Sequence, residues 1–288
     1  MKPKRRIEKI IRDDGYQVFV FENYTAKTLK SVRQEDVLAL SVVEAFNYQL
    51  LEQMKRVQVL TIMDSFISKS DIQYLLSLKK LKRLVLVDSY IEDEFDFSQI
   101  RSLEELDLKW KSGYQFKSSI KLKELVLRKL DLEDLSFLSN LKSLETLQII
   151  QGKLTSTKGI EKLKKLQSLS LAYLSKLQRM ENVDRLNLAH IELMSFRGVV
   201  DFSRINLAKL KWLNLDNVKS TISLHRLLAS KSLKKVRIFK RTKLSPEEVE
   251  VEAKFSDYTS GYIRQSEVVK RMIKYFNRLE LKLRKLKQ

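Results

Sequence analysis

"LKSLETLQII", residues 141–150, and "LKKLQSLSLA", residues 163–172, share the frame L-x-x-L-x-L, and the two copies start 22 residues apart. The same frame fits Val57-Leu60-Ile62, Leu81-Leu84-Leu86, Leu103-Leu106-Leu108, Leu122-Leu125-Leu127, Leu144-Leu147-Ile149 and Leu166-Leu169-Leu171. It continues at Val183-Leu186-Leu188, Leu210-Leu213-Leu215 and Leu233-Val236-Ile238. Successive starts differ by 24, 22, 19, 22, 22, 17, 27 and 23 residues. Two weaker copies, Tyr16-Phe19-Phe21 and Leu38-Leu40, precede these nine.

In L-x-L the two leucines leave one side of an extended strand and the intervening residue leaves the other. Between strands the apolar spacing becomes three, as in Leu132, Leu135, Leu138, Leu141 and Leu144. A 3₁₀ turn or a tight return segment places every third residue inward. One unit cannot enclose its own leucines, so stacked units must share a core. The expected fold is an α/β solenoid: a parallel sheet on the concave face, 3₁₀ or irregular segments on the convex face, and a C-terminal helix.

These residues make the chain resemble leucine-rich-repeat proteins, above all the 22-residue class of bacterial internalins, over roughly residues 57–244. The resemblance implies a non-enzymatic binding scaffold and suggests a bacterial origin. Internalins carry an asparagine three residues after the last strand leucine. Here that position reads Ser89, Lys111, Leu130, Gly152, Leu174, Ile191 and Val218, so the asparagine ladder is missing.

Solenoid ends need caps. Residues 1–56 are expected to form the first, including the degenerate repeats, and residues 245–288 the second. The stretch from 263 to 288 spaces Val268, Met272, Tyr275, Phe276, Leu279, Leu283 and Leu286 along one helical face, with basic residues opposite. The expectation is a cationic amphipathic helix that seals the last repeat.

The chain of 288 residues carries a formal net charge of +20. Residues 1–12 supply +5 and residues 263–288 supply +7, which leaves +8 for the other 250. Such a field favours an acidic partner. The basic termini offer nucleic acid or an anionic membrane as the alternative. No cysteine is present, so disulfides and thiolate metal sites are excluded. The first residues read as a basic start interrupted by Glu8, Lys9 and Arg12 rather than as a secretion signal, and the expected setting is cytoplasmic.

Catalytic signals are weak. His190 and His225 are the two histidines, and no Gly-rich phosphate loop or metal-binding helix motif occurs. "EDEFD" at 92–96 lacks the spacing of a calcium loop. No cofactor and no metal are expected. The informative surface is the strand face opposite the leucines. Read through all nine units, including Arg185, Asn187 and Ala189, it carries six basic and four acidic side chains. The candidate partner-binding residues are Val59, Met63, Val85 and Val87 at one end and Trp212, Asn214, Asp216 and Phe239 at the other. Trp110, Tyr173 and His190, just past their strands, extend the surface.

Overall fold

The computed structural model describes residues 6–11, 17–22, 37–43, 46–118, 120–177, 180–196, 199–200, 205–220, 227 and 230–239. The expected C-terminal cap and its amphipathic helix lie outside these residues, as does His225.

The strands in chain order are β1 (Arg6–Ile11), β2 (Gln17–Glu22), β3 (Ala39–Val43), β4 (Val59–Met63), β5 (Phe66–Ile67), β6 (Arg83–Val87), β7 (Tyr90–Ile91), β8 (Phe95–Asp96) and β9 (Glu105–Lys109). They continue as β10 (Tyr114–Gln115), β11 (Glu124–Leu130), β12 (Thr146–Gly152), β13 (Ser168–Ala172), β14 (His190–Met194), β15 (Val199–Val200), β16 (Trp212–Asp216), β17 (Lys219–Ser220) and β18 (Lys235–Phe239). Twelve of them form one sheet in the order β1-β2-β3-β4-β6-β9-β11-β12-β13-β14-β16-β18. All neighbours pair in parallel except β1 and β2, which are antiparallel. The remaining strands pair two by two as β5-β7, β8-β10 and β15-β17.

The register aligns the strand leucines like for like. Leu60 pairs with Leu84, Leu84 with Leu106, and the row continues through Leu125, Leu147, Leu169, Ile191 and Leu213 to Val236. It also extends backwards, through Leu40 to Phe19. The sheet therefore runs without interruption through residue 56, and the row in β3 is held by Leu40 and Val42, two residues later than the Leu38-Leu40 copy places it.

Period three takes a literal form on the way back. Leu138 donates to the carbonyl of Leu135, Leu141 to that of Leu138 and Leu144 to that of Leu141, at 2.9–3.1 Å. Chained i to i−3 bonds turn every third side chain inward, and all four of these leucines are fully buried. Among the described residues short 3₁₀ turns recur at Tyr48–Glu52, Phe97–Gln99, Ser136–Leu138, Ile160–Lys162 and Val183–Arg185, and residues Ile72–Ser77 form the α-helix α1. Leaving the strands, the residue four past the first inward position has positive φ in seven units: Asp64, Asp88, Lys129, Gln151, Tyr173, Ser195 and Asn217. This left-handed residue starts each return.

The unit that links β9 to β11 is only 19 residues long, and there the pattern changes. Trp110 occupies the turn position without a positive φ, and aromatic rings from this unit and from the units on either side fill the core. Phe97 packs against Phe95, Tyr114 and Phe116 at 4.9, 5.2 and 5.8 Å, and Trp110 against Phe137 at 4.8 Å. Larger side chains fill the volume that a shorter loop encloses with fewer residues. This corrects one expectation: Trp110 is a core residue, 7% exposed, and does not extend the outer surface.

The asparagine ladder is replaced piecemeal. Ser89 accepts from the Ser65 amide at 3.1 Å and donates towards the Ile62 and Val87 carbonyls. The Lys111 ammonium donates to the Ile91 carbonyl at 3.0 Å. Leu130, Leu174 and Val218 add apolar volume at the same position, all fully buried.

A second correction concerns the seventh unit. Residues 183–188 are not a strand; Val183–Arg185 is a 3₁₀ turn and the strand is His190–Met194. Two overlapping matches compete here, Val183-Leu186-Leu188 and Leu188-Ile191-Leu193. Stacking decides for the second, because only that choice keeps 22 residues from Leu169 to Ile191 and 22 again to Leu213. The apparent steps of 17 and 27 disappear.

Candidate interaction surface

The corrected register alters the concave face. β14 contributes His190, Glu192 and Met194 in place of Arg185, Asn187 and Ala189. From β3 to β18 the outward positions then hold five basic residues, Arg83, Lys109, Arg128, Lys235 and Arg237, against five acidic ones, Glu105, Asp107, Glu124, Glu192 and Asp216. The face is electroneutral.

In its first half these charges neutralise one another. Arg83 meets Glu105 at 3.2 Å. Buried Asp107 holds Arg128 through both guanidinium nitrogens, with Nη2 to Oδ2 at 3.0 Å. Burial pulls the Arg128 guanidinium down to about 10, still fully charged at neutral pH. Lys109 pairs with Asp88 at 3.8 Å and stands 5.0 Å from the Tyr90 ring centre. Glu124 is the exception. It is half-buried beside Glu105, and burial first, then its acidic neighbours Glu105 and Glu145, push its carboxyl up.

The N-terminal candidates are mostly closed off. Met63 is 3% exposed and Val85 8%, while Val59 and Val87 are half-buried. Outward direction from the sheet is thus not the same as solvent access, because side chains on strands about 4.8 Å apart shield each other.

The second half is more open. From β12 to β14 the outward residues Thr146, Gln148, Ile150, Ser168, Ser170, Glu192 and Met194 are half-buried and His190 is exposed, but Ala172 is buried, and so is the candidate Asn214 on β16, 3% exposed beneath its neighbours' side chains. The structure brings His190 beside Trp212, with ring centres 6.1 Å apart at 67°. Partial desolvation, then nearby Lys211, lowers the His190 imidazole below its ordinary value, which favours the neutral ring at pH 7. Tyr173, 52% exposed, stands at the left-handed turn after β13. Asp216, at the end of β16, is half-buried. The Phe239 backbone pairs with Asp216 in β18.

Polar groups form a chain across this half. Ser170 Oγ donates to Glu192 at 3.0 Å, and Asn214 Nδ2 donates to the other Glu192 oxygen at 2.9 Å. Glu192, which organises the row, is missing from the sequence candidates, and so is Met194. The overlapping match at Leu188-Ile191-Leu193 is the signal that finds both. Two atoms close by, Trp212 Nε1 and Asn214 Oδ1, are buried without a hydrogen-bond partner. An unmet buried donor or acceptor costs about 1–3 kcal/mol, which sets this end of the face apart from the first half.

The acidic "EDEFD" turn is a set of local caps. Asp96 accepts from the Ser98 and Lys117 amides at 3.0 and 3.1 Å, and Glu92 from the Lys69 amide at 2.6 Å. Among the described residues no His, Asp or Glu group has the arrangement to hold a metal ion, and no helix is long and apolar enough to cross a membrane.

No protein-family model matches the chain, and no curated protein matches it. Solved structures do. An internalin of Listeria monocytogenes is similar with a TM-score of 0.57 at 16% identity, over 76% of this chain and 71% of that one. A leucine-rich-repeat protein of Leptospira interrogans aligns with a TM-score of 0.48 at 20% identity, over 81% of this chain and 68% of that one. The internalin likeness shows the fold: an open leucine-rich-repeat solenoid.

Proposed function

We propose that this leucine-rich-repeat chain is a non-enzymatic protein-interaction module whose recognition surface is the second half of the concave face. One observation carries the reading: His190 stands exposed against half-buried Trp212 at the entrances of β14 and β16, where most of the outward residues stay partly open, whereas the charges of the first half close on one another. A parallel sheet supplies a rigid platform, so little ordering entropy opposes binding. Aromatic rings beside unmet polar atoms are the kind of anchor around which interface energy concentrates.

The partner is expected to be acidic, in a cytoplasmic and bacterial setting. That expectation rests on the net charge of +20 and the absence of cysteine, and not on the neutral contact face. Charge of this kind raises the encounter rate rather than choosing the contact.

The test places a photo-crosslinking residue at Gln148 or Glu192 and, for comparison, at convex Gln73. Capture of one protein by the concave positions only, lost in Trp212→Ala and weakened at least tenfold when the purified partner is titrated, supports the proposal. Equal capture from Gln73, or unchanged binding by a Trp212→Ala protein that melts normally, overturns it.

A further inference from the structure

The three loop positions that lie five, four and two residues before the first inward strand residue fall on one rim of the solenoid, at the entrance to each strand. Over the nine units from β4 to β18 they hold fifteen basic residues and two acidic ones, Glu104 and Glu145, a net +13. All fifteen are exposed. Backbone bonds tie neighbouring units together along this edge: the Lys82 amide donates to the Gln58 carbonyl, Glu104 to Lys82, Lys123 to Glu104 and Lys234 to Lys211, at 2.7–2.9 Å. The cations therefore stand in a row with the strand spacing, interrupted at β14, whose three positions hold Leu186, Asn187 and Ala189. Eight steps of about 4.8 Å make a ridge about 38 Å long.

Nothing comparable exists elsewhere on the described molecule. The concave face is neutral. The loops that leave the strands, within 64–71, 88–94, 110–113, 129–134, 151–155, 173–177, 195–196 and 217–218, hold nine acidic and five basic residues. Glu104 accepts from Lys123 at 2.8 Å and lies 3.7 Å from Lys82, and this hydrogen bond holds its carboxyl below the ordinary range. Two carboxylates do little to neutralise a row of this length.

We infer that this ridge is a docking surface for the phosphodiester backbone of a nucleic acid. About one net charge per 3 Å of ridge is close to the 3.4 Å spacing of phosphates along one strand of B-DNA. Thirteen of the fifteen cations are lysines, compact point charges that meet phosphates without the planar fork with which arginine recognises a particular geometry. Recognition is accordingly independent of sequence. An anionic membrane fits less well, because the exposed large hydrophobic side chains among the described residues, Phe66 and Tyr173, both follow strand ends on the opposite rim. An acidic protein fits less well because its carboxylates do not repeat at a fixed short interval. The inference is independent of the concave-face reading and uses other residues.

The experiment measures anisotropy of a fluorescein-labelled 20-base single strand and a 20-base-pair duplex with full-length protein between 50 and 200 mM salt. Lys142, Lys164, Lys165 and Lys209 are changed together to Glu, and in a second variant to Gln. A control of equal charge changes Lys69, Lys129, Lys158 and Lys176, all exposed and off the ridge, to Glu. Ridge variants that melt cooperatively but bind at least tenfold more weakly, with a shallower salt slope, support the inference if the control stays within threefold of wild type. It is overturned if ridge and control variants lose affinity equally, since net charge alone then acts. It is equally overturned if removal of residues 263–288 abolishes binding that the ridge variants retain. Ridge-dependent binding to phosphatidylserine vesicles without binding to either oligonucleotide would assign the ridge to membranes instead.

Discussion

A single leucine in this chain matters through its place in a row. Leu147 is fully buried and sits between Leu125 and Leu169 in neighbouring strands. Leu147→Ala removes a side chain that the stacked units cannot close over, and is expected to cost about 2–5 kcal/mol. Lys164→Ala, at an exposed rim position, should cost less than about 0.5 kcal/mol. Urea midpoints of the two variants check the contrast. Glu124 gives the opposite sign. Burial and acidic neighbours raise its folded pKa above the unfolded value, so its protonated form is the favoured one in the folded chain. Its contribution is favourable at pH below the ordinary carboxylate range and is lost as pH rises through the raised value. Glu124→Gln should therefore raise the melting temperature at pH 7, and the gain should vanish on acidification to pH 3.

Between elements, the connection that most rewards measurement is Asp107 on β9 with Arg128 on β11. Asp107 is 6% exposed, so its removal leaves a guanidinium that burial already disfavours. Breaking a buried pair on one side is far more costly than replacing both partners with apolar groups. Asp107→Ala should lose several-fold more stability than the double variant Asp107→Ala with Arg128→Met, and a double-mutant cycle from thermal melts reads the difference. Turns add a second kind of constraint. Gly159, at φ 95°, opens the 3₁₀ turn at Ile160–Lys162, and a Cβ there would come within 2.6 Å of the Ser136 backbone in the preceding unit. Close stacking of one return segment on the next depends on that missing side chain.

At the scale of the molecule, charge is sorted by edge. The strand entrances carry +13 within about 38 Å, and like charges at that density repel even through solvent. Raising salt from 50 to 300 mM shortens the screening length to about 6 Å and should raise the melting temperature. Reversing Lys142, Lys164, Lys165 and Lys209 should raise it at low salt and make it less salt-dependent. A melting temperature that falls with salt in this range would mean that attraction between the rims outweighs repulsion within one.

The leucine frame alone determined the solenoid, the parallel sheet, the inward rows and the period-three return, because strand alternation and 3₁₀ spacing are local geometries that any stretch of chain reports. It went wrong where two frames overlapped, at Leu188, since one strand cannot tell which of two matches its neighbours will accept. Stacking made that choice, and with it placed His190, Glu192 and Met194 on the outer face. Burial of Met63, Val85 and Trp110 was likewise a tertiary matter: it depends on what neighbouring units bring near, not on which way a side chain leaves its own strand. Charge shows the division most clearly. Along the sequence the densest positive runs are the two ends, and the lysines between look dispersed. A 22-residue period brings lysines from successive units to one edge, and only the stacked fold converts that dispersion into a ridge.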